Sequence, residues 1–378
     1  MTFMKEETIV ENRLREYDFI RVLCVLGVIA IHVTSHFVTR TDFAFIWNQL
    51  SRFAVPMFML LSGFFLFYQD RQLKLHQRPS MKRRMKRLII PYILWTIIYA
   101  LYTQNGLLQN QNYLMWTDYL FKTLWQGKGY VHLYFMLIVF QFYLLYPWLR
   151  SWYYRSPNSM LFVCFILTVG IQSLIYLSQH ANVGFNLPKL WWSYSIPIPV
   201  WIFFFSAGMF LAQSRERWEN WFKGKTFWLI LAWVLASGLI VLDTIWSRTY
   251  SLSIKPSIIL YCFICFFLFY NLGRLFYQKK NPLHSIFNWI SEQSFLIFLL
   301  HPLLLSYLSS LAIANKLEFL WKGNLGIVNQ YLITVIATLL ITYLLSRFSW
   351  IHFLGGVPPK RRAKSISTNV TTKSEQTT

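Results

Sequence analysis

Arg21 and His32 are the residues of this chain whose types and spacing point most directly to chemistry. Both lie in the apolar stretch EYDFIRVLCVLGVIAIHVTSHF, which begins at Glu16. Ionisable side chains inside a membrane-length apolar segment are costly to place, so they are functional candidates by default. Eleven residues separate the two, roughly 1100° of helical rotation and within about 20° of three full turns, so both project from one face ~16 Å apart along the axis. A guanidinium keeps its charge and presents a planar fork to phosphate or carboxylate. An imidazole takes or gives a proton near neutral pH. One helix face thus carries an anion-binding group and a proton-transfer group at different depths. The plain alternative for His32 is a structural hydrogen bond between helices. The cation on the same face argues against it.

Further polar residues can join this pair. His301, in FLIFLLHPLLL, is expected at a depth close to that of His32. The following Pro302 frees a backbone carbonyl, which is tolerated in a membrane where a cavity is lined. His132, in GYVHLYFML, and Arg52 each begin an apolar run at the same end as His32. These groups are expected to line one cavity. Asp18 can pair with Arg21 or cap the helix start, but at ~21 Å by helix rise it is too far away to orient His32. His36 lies one turn beyond His32. Two histidines need a third ligand to hold a metal, HExxH is absent and acids are scarce among the apolar runs, so no metal is expected. Trp191 and Trp192, in LPKLWWSYSIPIP, fit either an interfacial aromatic belt or stacking on a sugar ring.

The elements that must position these residues follow from composition. Of 378 residues, 56% are hydrophobic and 13% charged, against about 25% charged in a soluble domain. Several runs approach or exceed the ~18 apolar residues that a bilayer-crossing helix needs. The expected fold is an all-α, polytopic integral membrane helical bundle. Its spans fall near 17–38, 47–68, 88–104, 131–149, 160–178, 197–213, 226–246, 256–273, 290–311 and 327–347, about ten in all. The first run lacks a small-residue cleavage site and is expected to be a retained helix. Residues 1–350 form the membrane domain. Residues 351–378 form a basic polar tail expected to be disordered.

The net charge of +22 would suggest nucleic acid in a soluble protein. Here 26 of the 36 Lys and Arg fall in alternate connecting segments and 9 in the others. That is the positive-inside pattern, so nucleic acid is not an expected partner, and both termini are expected in the cytoplasm of a cell-membrane protein. Arg21 then lies near the cytoplasmic face and His32 deeper, toward the outside. The densest basic run, MKRRMKRLIIPY from Met81, fits either an anchor on acidic lipid or a receptor for a polyanion such as a nucleotide phosphate. Cys24, Cys164, Cys262 and Cys265 all fall in apolar runs and are expected in the core. No GxSxG elbow, GxxxxGK[ST] phosphate loop or carboxylate pair suited to glycoside hydrolysis occurs.

The chain resembles the membrane-bound acyltransferase family 3. That family's first helix resembles LDxxRxxAxxxVxxxH, present here as YDFIRVLCVLGVIAIH with the Arg21-to-His32 spacing kept. Its PxFFxxSGxxL is similar to VPMFMLLSGFFL, with Pro56, Ser62 and Gly63. The basic run leading to Pro91 and Tyr92 resembles its RxxRxxxPY. HLYFMLIVFQFYLLYP resembles its HLWFL segment with Tyr134 in place of Trp, and FLIFLLHPLLL its YLxHxP segment with Phe298 in place of Tyr. Five motifs in the family's order span about residues 15–350.

The resemblance implies transfer of an acyl group, usually acetyl, from cytoplasmic acyl-CoA to a carbohydrate, often an extracytoplasmic glycan. By position, Arg21 helps to hold the donor and His32 is the essential histidine. Arg83, Arg84 and Arg87 of the basic run are candidate helpers on the coenzyme A phosphates. His32 is expected either to deprotonate an acceptor hydroxyl or to carry the acyl group itself. Ser62, Arg52 or a water is a candidate donor to the oxyanion. Arg52, Ser62, His132, His301, Trp191 and Trp192 are the candidate acceptor-side residues. Expected partners are membrane lipid, the carbohydrate and either a separate extracytoplasmic transferase or polysaccharide-synthesis proteins. A polysaccharide exporter without catalysis is the alternative. An exporter needs a polar pathway through several helices, whereas intramembrane charge here concentrates in one.

Overall fold

The computed structural model describes residues 14–72, 81–180, 183 and 196–358. Among them there is no strand. The helices are α1 (Arg15–Thr34), α2 (Asp42–Ser51), α3 (Ala54–Gln72), α4 (Met81–Thr103), α5 (Asn105–Gln109), α6 (Tyr113–Gln126), α7 (Tyr134–Arg155) and α8 (Pro157–Gln179). They continue with α9 (Ile202–Gln213), α10 (Arg215–Phe222), α11 (Thr226–Ser247), α12 (Pro256–Gln278), α13 (Leu283–Ala314) and α14 (Gly323–Leu345). The chain is an all-α polytopic membrane protein. Every span expected from sequence falls on a helix, and 8 helical segments are long and apolar enough to cross a membrane, α2 and α3 counting as one. The two others are α7, which carries Gln141 and Arg150 and is more polar, and α9, which has only 12 residues.

The arrangement follows from which faces are apolar. α1 is apolar all round apart from Arg21, His32 and its first turn, so it can only be satisfied at the centre. It packs against α2, α3, α12, α13 and α14, and 67% of it is buried, compared with 22% of α11. α8 and α11 turn Phe162, Leu235 and Leu242 outward, as helices facing lipid do. Between helices in lipid, close packing replaces the hydrophobic effect, and small residues allow it. Gly63 of α3 meets the Phe205 carbonyl of α9, and Gly208 of α9 meets the Leu60 carbonyl of α3. A Cβ at either position would overlap that carbonyl, so this reciprocal pair fixes the rotation of α3.

α13 is locally open. Pro302 has no N–H for the Phe298 carbonyl, the usual consequence of a mid-helix proline. One residue further on, the Tyr99 hydroxyl of α4 enters the ladder. Leu303 N donates to it at 3.1 Å, and it donates to the Leu299 carbonyl at 2.8 Å. A phenol thus replaces the Leu303–Leu299 backbone bond beside His301.

The expected domain boundary at 350 falls within a short 3-10 turn, Ser349–Leu354, that docks back on the bundle. Ile351 is buried, Trp95 Nε1 donates to the Leu354 carbonyl, and Gln293 bonds the Val357 backbone in both directions. Residues 359–378 of the expected tail lie outside the described residues. All four cysteines are buried and free.

Candidate active site

His32 of α1, His132 just before α7 and His301 of α13 meet. Their ring centroids are 5.2 Å apart for His32–His301, 6.3 Å for His32–His132 and 5.9 Å for His132–His301. His301 Nδ1 lies 3.1 Å from the Ile297 carbonyl. A carbonyl only accepts, so Nδ1 carries the hydrogen and Nε2 presents its lone pair. That buried Nε2 has no protein partner. His32 is half-buried and, with His132, lines a cavity of about 660 Å³, within the range of small-ligand sites. Tyr130, stacked on Tyr99 at 4.3 Å, and the polar side chains of Ser306, Ser309 and Gln330 line it too. Among the described residues, no three His, Cys, Asp or Glu converge as metal ligands.

Arg52 forms part of the cavity wall. Its Nη1 donates to the Ser251 carbonyl and to Ser253 Oγ, and its Nη2 to Asn48 Oδ1 and the Tyr250 carbonyl. Four of its five N–H groups are therefore committed, and only Nε lacks a partner. Asn48 in turn donates to the Ile31 carbonyl and to Thr34 Oγ1, which ties the end of α1 to this guanidinium one residue from His32. Among the described residues no carboxylate lines the cavity. The buried cation therefore gives it a positive potential, which favours developing negative charge.

Arg21 lies in a second cavity of about 620 Å³. Its guanidinium sits 4.0 Å over the Phe65 ring and 3.9 Å from Asp18, whose Oδ1 also accepts from Ser291 at 2.6 Å. The expected Asp18–Arg21 pairing is therefore present. Arg84 and Arg87 line this cavity, together with Glu292. Arg84 is buried and held by Asp70 at 2.5 Å, and the second oxygen of Asp70 accepts from Tyr146 at 2.9 Å. Arg83 is exposed and is not among the residues that line this cavity. Ser62 also lines this cavity rather than that of His32, and its hydroxyl donates to the Phe58 carbonyl at 2.7 Å.

One helix face therefore presents Arg21 to one cavity and His32 to the other. The two cavities share three lining residues, Phe58, Phe135 and Phe298. Their centroids are 6.1, 6.2 and 5.4 Å apart, and Phe298 is in turn 5.2 Å from His132. Arg52 and His132 join His32 in its cavity, and His301 packs against both imidazoles from behind. Trp191 and Trp192 lie outside the described residues. In the sequence Phe298 stands out only as a departure from the family motif, and the convergence of the three phenylalanines has no signal because apolar residues in apolar helices give no contrast. Sequence reasoning passed over Asp70, whose only signal is a lone acid near the end of an apolar run, and over Tyr99.

A protein-family model described as an acyltransferase domain matches residues 14–347. Over 313 residues, covering 76% of this chain and 80% of the relative, the sequence is 24% identical to a Bacillus subtilis (strain 168) protein named "Putative membrane-bound acyltransferase YfiQ". Over 268 residues, 68% of this chain and 70% of the relative, it is 28% identical to a Staphylococcus aureus (strain MSSA476) protein named "Probable poly-beta-1,6-N-acetyl-D-glucosamine export protein". No solved structure matches the chain.

Proposed function

Since the chain belongs to the acyltransferase family whose model spans residues 14–347, and is a membrane-bound acyltransferase, we propose that it moves an acetyl group from acetyl-CoA on the cytoplasmic side to a hydroxyl of a carbohydrate on the outer side. The observation that carries this reading is the division of one helix face between two cavities: cations in one, imidazoles in the other. The excess of Lys and Arg in alternate connections supports a cytoplasmic arginine cavity. Coenzyme A suits that cavity because it bears phosphates at one end and a thioester at the end of a long arm. Arg21 and Arg87 have charge to offer those phosphates, whereas Arg84 is held by Asp70 and shapes the wall.

In the histidine cavity, His32 takes the proton of the acceptor hydroxyl. The oxygen attacks the thioester carbonyl. The resulting oxyanion lies in the positive potential of Arg52. Collapse breaks the carbon–sulfur bond, and the leaving thiolate takes the proton from the His32 imidazolium. The products are an O-acetyl ester and free coenzyme A. His301, whose Nε2 offers a lone pair with no protein partner, and His132 pack against the His32 ring, where other catalytic histidines have an orienting carboxylate. General-base action is preferred over an acyl-histidine because the neighbouring imidazoles supply proton acceptors without a covalent step.

Purified protein should bind coenzyme A, more weakly after Arg21→Ala or Arg87→Ala and unchanged after His32→Ala. Binding unaffected by both arginine changes would overturn the donor assignment. A second reading, polysaccharide export, draws on the names of the Staphylococcus relatives. It needs a continuous polar path, and the three phenyl rings interrupt the route between the cavities. Continued secretion of unmodified polymer in cells lacking the protein would count against it.

A further inference from the structure

The two cavities lie end to end along α1, and among the described residues only Phe58, Phe135 and Phe298 border both. Each ring comes from a different helix, α3, α7 and α13, and each contacts the other two. Three mutually packed rings with no polar atom among them are a hydrophobic constriction. Such constrictions exclude water and ions even where their radius would admit them. On the histidine side, Phe298 lies directly against His132 and His301. On the arginine side, Phe58 is one turn from Ser62 on the same helix, and Ser62 caps its carbonyl.

The constriction is built to part at one ring. Phe58 is set by the glycine-locked α3, and Phe135 sits in the first turn of α7. Phe298 instead lies at the break in α13, where Pro302 leaves its carbonyl without the helical donor and the Tyr99 hydroxyl has replaced the next backbone bond. A helix opened in this way can shift by a small hinge without losing an intact ladder.

We infer that Phe58, Phe135 and Phe298 form a selectivity barrier between the two cavities. The acyl end of the donor reaches His32 only by passing between these rings, and their contact restricts passage to unbranched acyl groups. The barrier itself stands on the geometry, and the identity of what passes it rests on the donor reading above. An acetyl thioester and its pantetheine arm are slender, mostly apolar chains that can replace ring–ring contacts with ring–methylene contacts. A branched or aromatic acyl group needs a whole ring displaced. Closed, the rings keep water of the arginine cavity from the histidines and so protect the thioester from hydrolysis.

Ser35 lines the histidine cavity and is exposed there, so Ser35→Cys provides a reporter. A small water-soluble thiosulfonate reagent is applied to sealed membrane vesicles from the arginine-cavity face. With the barrier intact, labelling of that cysteine should be slow from this face and fast from the other. Adding Phe135→Ala should speed it on the order of tenfold, with Phe135→Leu intermediate and retained as the less disruptive variant. Equal labelling from both faces with all three rings present, or no gain with either substitution, overturns the barrier.

Acyl preference is measured in the same preparations. Phe135→Ala should raise kcat/KM for isobutyryl-CoA relative to acetyl-CoA by on the order of tenfold. An unchanged ratio beside faster labelling overturns the selectivity role. If the unsubstituted protein transfers from no CoA thioester at all, the donor reading fails, while labelling still decides the barrier.

Discussion

The imidazoles of His32 and His301, carried by α1 and α13, lie with their centroids 5.2 Å apart in a region that, among the described residues, no carboxylate lines. A histidine base in such a setting depends on its neighbouring imidazole for orientation. With its own Nδ1 donating to the Ile297 carbonyl, His301 presents toward the histidine cluster a lone pair at Nε2 that no protein group satisfies. His301→Phe keeps the packing and removes the acceptor. Transfer should fall by roughly 10²–10⁴-fold in kcat, the range for groups acting in proton transfer, with KM for the donor little changed. The check is steady-state kinetics with labelled acetyl-CoA; a change confined to KM would contradict the assignment.

Tyr99 acts one step further back. Its hydroxyl joins Leu299 and Leu303 across the break beside His301. Tyr99→Phe leaves a buried N–H and C=O without partners, each costing about 1–3 kcal/mol. The expected results are a lower thermal midpoint and a lower kcat. A variant as stable and as active as the parent would show that the break does not need the phenol.

Arg84 and Arg21 should behave differently despite lying in one cavity. Asp70, Arg84 and Tyr146 form a buried network, and removing one partner of a buried pair costs about 3–5 kcal/mol. Arg84→Ala or Asp70→Asn should therefore reduce folded protein in the membrane. Arg21→Lys should leave folding intact and raise the donor KM, because the planar fork is lost. Size-exclusion profiles and kinetics on the same samples separate the two. Identical profiles for Arg84→Ala and the parent would remove the structural role.

Lys255 precedes α12, outside the crossing segment, yet its side chain is fully buried and its Nζ donates to Thr244 Oγ1 at 2.6 Å. Burial, and then the Arg52 cation, push its pKa down to about 7 from 10.5. Between those values the unfolded chain binds the proton and the folded chain does not. Stability therefore rises with pH across that window, and the charge penalty is full below it. Lys255→Met removes this term. The gain in thermal midpoint over the parent should be larger near pH 6 than near pH 9; an equal gain at both would show that the lysine does not titrate in that window.

Much of this arrangement could be read before any coordinates. Spans follow from the length of apolar runs, and every expected one is helical. The common face of Arg21 and His32 is a matter of helical rotation alone. That Arg52, His132 and His301 gather near His32 was an expectation from depth, and depth is set by distance from the ends of a span. The partition of the cavities was not legible. It depends on rings from three helices that meet only once the bundle is packed, and among 34 phenylalanines nothing in the sequence brings these three together. The commitment of Arg84 to Asp70 was equally hidden, because the two are 14 residues apart on different helices and pair only once α3 and α4 are placed.

His32 and Arg21 act on one donor molecule from opposite sides of a barrier, Arg21 on its phosphates and His32 at its thioester. The most direct measurement is transfer of labelled acetyl from acetyl-CoA to surface glycan in membranes containing equal amounts of the parent, His32→Ala or Arg21→Ala protein. The account predicts a loss of roughly 10²–10⁴-fold for His32→Ala at saturating donor. For Arg21→Ala it predicts a loss that rising acetyl-CoA concentration largely restores. Full transfer by both variants would contradict it.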